Sequence, residues 1–102
     1  SAQRDATTVT PQALYLMNGA FVHEQAAALA QRALRHPGGD ADRIRHAFAL
    51  CFNRPPDAAE ARLADGYFQA ARGPKGGGAD EMRIWSGYCQ ALLASAEFRI
   101  AD

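Results

Sequence analysis

Asp57 and Glu60, two carboxylates three residues apart, and the imidazoles His23, His36 and His46 are the groups whose types admit acid–base or metal chemistry. A carboxylate pair can divide general-acid and general-base duties when both members face one cleft. Asp57 and Glu60, however, directly follow Pro55-Pro56 in the D-x-x-E order of a helix-capping box, and capping accounts for both. Asp42 and His46 are one helical turn apart, but two ligands make a poor metal site and Asp42 is equally placed to cap a helix. His23 and Glu24 are adjacent, so on a helix they point apart. No serine lies in a G-x-S-x-G elbow, and Ser86 and Ser95 read as helix and cap residues. The stretch "RGPKGGGAD", residues 72–80, lacks the G-x-x-x-x-G-K-[ST] spacing of a phosphate-binding loop and follows no strand, so it reads as a linker. These residues therefore carry no catalytic, cofactor-binding or metal-ligating assignment, and the chain is expected not to be an enzyme.

Two cysteines, Cys51 and Cys89, lie far apart in sequence with no C-x-x-C, which removes a zinc knuckle, a thioredoxin motif and covalent haem attachment. Each sits in an apolar helical pattern, so buried free thiols are expected, with an interhelical disulfide as the alternative in an exported protein. Tyr15, Tyr67, Tyr88 and Trp85 have the chemistry to line a carbohydrate surface or a haem edge. At helical spacing they read as core.

The totals agree with a structural reading. At 102 residues the chain has room for one domain, and eleven basic residues balance eleven acids. Residues 1–54 carry six Arg against four acids, and residues 55–102 five basic residues against seven acids. Neither half holds the concentrated basic face that nucleic-acid binding needs. No apolar run approaches the ~18–20 residues of a membrane span, and the opening "SAQRDATTVT" lacks the layout of a signal peptide.

Alanine, the best helix former, is abundant and β-branched residues are few, which predicts an all-α fold. Residues 1–9 read as a flexible lead-in, and 10–102 as one helical domain. Thr10-Pro11 opens a short helix that Asn18-Gly19 stops. A second helix runs from about Ala20 to Arg35, with Val22, Ala26, Leu29 and Ala33 on one face, and ends at Pro37-Gly38-Gly39. A third, capped by Asp40 or Asp42, reaches Phe52 with Ile44, Ala47, Phe48, Cys51 and Phe52 as its stripe. Arg54, next to a proline, cannot continue that helix. Asp57 caps a fourth helix reaching about Ala71, expected to bury Leu63, Tyr67, Phe68 and Ala71. Asp80 and Glu81 open a fifth, with Met82, Trp85, Cys89, Leu92 and Ala96 inward and a last turn over Ser95–Phe98. Gly87 offers a point of close approach for a neighbouring helix. The result is a compact bundle of four to five helices with short loops.

Three blocks, "TTVTPQALYLMNGAFVHEQAAALAQR", "RIRHAFALCFNRPPDAAEARLA" and "WSGYCQALLASAEFRIAD", together resemble a planctomycete-specific C-terminal domain of unknown function. That domain closes large secreted proteins, many with a predicted c-type haem module upstream. Three departures stand out. The spacing after Pro11 is one residue short, Asn53 replaces the usual Gly before Arg54, and Gly19-Ala20 replaces a small residue–Pro pair. The resemblance implies an exported, helical, C-terminal piece of a larger protein, secreted or periplasmic, whose partners are other domains of that protein. The haem-bearing segment is outside this chain, so no cofactor is expected here.

The expected function is thus a non-catalytic packing or interaction module. A carbohydrate- or other ligand-binding module and a docking surface for a haem electron-transfer domain are the alternatives. The residues expected to matter are structural: Asn18, Asp57, Glu60 and Trp85, together with Arg54 reaching Glu97 as a bidentate tie between the corner and the last helix.

Overall fold

Pro, Gly and Asn divide the alanine-rich sequence into helical segments almost where their local chemistry requires. A computed structural model describes residues 19–74 and 80–101, with the backbone alone over 97–101. Among these residues it has four helices and no strand: α1 (Ala20–Arg35), α2 (Asp40–Phe52), α3 (Ala58–Arg72) and α4 (Glu81–Ala101). The lead-in over 1–9, the helix opened by Thr10 and its stop at Asn18 lie outside the described residues.

The ends show why the boundaries fall where they do. His36 N–H closes α1 on the Ala33 carbonyl at 3.1 Å. Asp42 does not cap α2 from in front. It sits in the first turn and its Oδ2 accepts the N–H of Gly39 at 3.3 Å, one arm of a capping box that glycine cannot return. Asp40 is the first residue of α2, and its carboxylate is used elsewhere. Asn53 takes the left-handed conformation, φ 58° and ψ 34°, and its N–H bonds to the Ala49 carbonyl at 2.8 Å. Asn tolerates that conformation better than other residues with a side chain, so the corner survives without glycine. At α3 the box is complete: Glu60 N–H donates to Asp57 Oδ1 at 2.8 Å, and Asp57 N–H to Glu60 Oε1 at 2.9 Å. At α4 the N–H of Arg83 donates to Asp80 Oδ1 at 3.2 Å.

The central element is α4, which packs along α1 most extensively and also against α2 and α3. A helix with neighbours on several sides needs a wide apolar face. Its buried residues, Ile84, Trp85, Tyr88, Cys89 and Leu92, form one broad stripe at i, i+1, i+4, i+5 and i+8, which half-buried Met82 and Leu93 widen. Met82 and Ala96, expected inside, are half-buried, and α4 includes the last turn expected over Ser95–Phe98 and runs on to Ala101. The expected α1 face, Val22, Ala26, Leu29 and Ala33, is buried together with Ala30. On α2, Ile44, Ala47 and Phe48 are buried, while Cys51 and Phe52 are half-buried.

The face expected for α3 is corrected in part. Phe68 is buried and Tyr67 half-buried, but Leu63 is 74% exposed and Ala71 is exposed. Ala64 takes the inward place instead. The reason is tertiary: α3 packs chiefly on α4, so one narrow side suffices and the rest of its apolar residues face outward.

Phe68, Trp85 and Tyr88 form the aromatic centre, with Phe68 4.5 Å from Trp85 and 5.2 Å from Tyr88 between ring centroids. Such pairs contribute about 0.5–1.5 kcal/mol beyond the area they bury. Beside them Tyr67 donates its hydroxyl hydrogen to the Ile84 carbonyl at 2.7 Å. The hydroxyl lies over Gly87, where a Cβ would stand 2.5 Å from its oxygen. The close approach expected at Gly87 is therefore made by one tyrosine of α3.

Candidate functional site

Arg54 lies at the corner between α2 and α3 because Asn53 has turned the chain and Pro55 keeps it extended. Its NH1 donates to Glu60 Oε1 at 2.9 Å and its NH2 to Glu60 Oε2 at 3.0 Å. NH1 also donates to the Pro55 carbonyl at 3.0 Å. The guanidinium rests 5.0 Å above the centroid of Phe48 and 5.8 Å from that of Phe52. The bidentate tie is thus made with Glu60, already a member of the α3 cap, and it raises the Arg54 pKa above its ordinary value chiefly through that hydrogen bond. The side chain of Glu97, the expected partner, lies outside the described residues. Arg54 remains 37% exposed.

Asp57 and Glu60 therefore serve the cap and the corner. His46 has a different partner: its ring stacks on that of His36 across the α1–α2 turn, centroids 4.3 Å apart and planes within 8°. Asp57 and Glu60 are thus bonded to each other, and His46 is paired apart from them. Parallel stacked rings also do not aim their nitrogens at one point, and the described residues contain no cluster of three or more His, Cys, Asp or Glu able to hold a metal ion. The stack joins residues ten apart, and the short Pro37-Gly38-Gly39 reversal was its only sequence signal.

A second arginine, which the sequence did not single out, ties three helix ends together. Arg72 in the last turn of α3 meets Asp40 at the start of α2, NH1 to Oδ2 at 2.5 Å and NH2 to Oδ1 at 3.1 Å. It also meets Glu81 at the start of α4, Nε to Oε2 at 2.9 Å and NH2 to Oε1 at 2.7 Å. A cation at a helix C-terminus and acids at two N-termini each complement the local macrodipole. Hydrogen bonds from Arg72 hold both the Asp40 and Glu81 carboxyls below their ordinary range, and the two carboxylates raise the Arg72 pKa in turn. Only the helix-end positions of these residues hinted at the arrangement.

Both cysteines are free, Cys89 fully buried and Cys51 half-buried. Burial pushes the Cys89 thiol up to about 12 and raises Cys51 as well. Both shifts disfavour the thiolate, the nucleophilic form of cysteine. Trp85 is fully buried, and its side chain adds to the lowering of the Glu81 carboxyl that Arg72 chiefly causes.

The open feature of this surface is apolar. A groove of about 370 Å³ runs between α2, α3 and α4. Phe48 and Phe52 line it from α2, Leu63 and Tyr67 from α3, and Tyr88 and Ala91 from α4. Its polar lining residues are Glu60, already held by Arg54, Tyr67, whose hydroxyl is bonded to the Ile84 carbonyl, Tyr88 and Ser95. A smaller cleft of about 310 Å³ between α1, α2 and α4 is lined in part by Leu29, Arg32, Cys51 and Leu93. The groove offers area and shape for apolar contact and no converging set of ionisable groups.

A family model described as "Protein of unknown function (DUF1553)" matches residues 1–68 of the 102. The chain belongs to that family. The DUF1553 match takes in α1, α2 and the first part of α3, and with them the Arg54–Glu60 corner. Neither a curated protein nor a solved structure matches the chain. Among the described residues of this DUF1553 member no helix is long and apolar enough to cross a membrane.

Proposed function

We propose that this DUF1553 domain is a non-catalytic helical module that packs against, or positions, other domains of a larger exported protein. The observation that carries the reading is the apolar groove with Leu63 at its rim, 74% exposed. Large apolar side chains gathered on a depression mark contact surfaces more often than solitary ones do. The polar groups support the same reading. Asp57 and Glu60 cap, Arg54 and Arg72 tie helix ends, and His36 and His46 stack on each other.

The exported, C-terminal context and the upstream haem module rest on the resemblance of the three sequence blocks to the planctomycete domain. A carbohydrate-binding role has less support, because Trp85 and Tyr88 are both buried and Tyr15 lies outside the described residues. The test is to mix the isotopically labelled domain with the remaining segments of its full-length gene product and follow amide shifts. Association with shifts gathered around Leu63, Tyr67 and Ala91, lost in Leu63→Glu, is the expected result. No association with any segment, with Leu63→Glu unchanged in behaviour, overturns the proposal.

A further inference from the structure

We draw no further inference here: the strongest candidate, the apolar groove between α2, α3 and α4, belongs to the site already described, and nothing in the structure shows what covers it.

Discussion

The hydroxyl of Tyr67 occupies the space where a side chain at Gly87 would begin: a Cβ there would stand 2.5 Å from the tyrosine oxygen. That oxygen is fixed by its hydrogen bond to the Ile84 carbonyl at 2.7 Å, and the ring packs against both Phe68 and Tyr88. Two opposing effects meet at position 87. Glycine inside a helix costs about 1 kcal/mol relative to alanine, yet alanine here displaces a half-buried ring and its hydrogen bond. Gly87→Ala is expected to destabilise by about 1–2 kcal/mol in urea unfolding. In a Tyr67→Phe background, where the oxygen is gone, the same change should be neutral or stabilising. Equal effects of Gly87→Ala in both backgrounds would show that the hydroxyl contact is not the constraint.

The Arg72 tie makes an acid limb in stability. Asp40 and Glu81 have folded-state pKa values below their unfolded ones, so in acid the unfolded chain binds more protons than the folded chain. Their contribution is complete above the ordinary carboxylate range and is lost as pH falls through the folded values. Both carboxylates are more than 40% exposed, which screens the pairing. Arg72→Met should therefore cost about 1–2 kcal/mol at pH 7, nearer the surface-pair than the buried-pair range. Its unfolding midpoint should also depend less on pH between about 5 and 3 than wild type does. Parallel pH curves for the two proteins would exclude the tie as a source of the acid sensitivity.

The thiols should report burial. With Cys89 pushed up to about 12 by burial, only a trace of thiolate exists at pH 8. Alkylation of Cys89 by iodoacetamide should be slower in the folded protein than in the unfolded chain by about a hundredfold or more. Half-buried Cys51 should be modified before fully buried Cys89, as peptide mapping would show. Rapid labelling of Cys89 in the native protein would mean that the α4 core opens readily.

At the α2–α3 corner the cap should outweigh the arginine. Asp57→Ala removes a side-chain acceptor for a first-turn N–H and should cost about 1 kcal/mol. Arg54, exposed over more than a third of its side chain, should cost less when changed to alanine, with Glu60 still held by the Asp57 backbone N–H. Thermal melts of the two variants decide the order. A larger loss for Arg54→Ala would point to a buried role, such as the proposed reach to Glu97.

Much of the helical framework is local and was readable in one dimension. Ala20–Arg35 and the Asp57–Glu60 box follow from residues within a few positions of one another, because capping, proline geometry and the left-handed tolerance of Asn53 act over single turns. Three features were not readable: the outward turn of Leu63, the stack of His36 on His46, and the convergence of Asp40 and Glu81 on Arg72. Each depends on which sides of a helix are left without a neighbour, or on which helix ends meet. A periodic stripe says that a face is apolar, not how wide a face its neighbours will cover. Because α4 took the central position, α3 needed only Ala64, Tyr67 and Phe68 against it, and its remaining apolar side chains became the rim of an open groove. Local chemistry determined where the helices begin and end; the order of packing, set by long-range burial, decided which surface was left exposed.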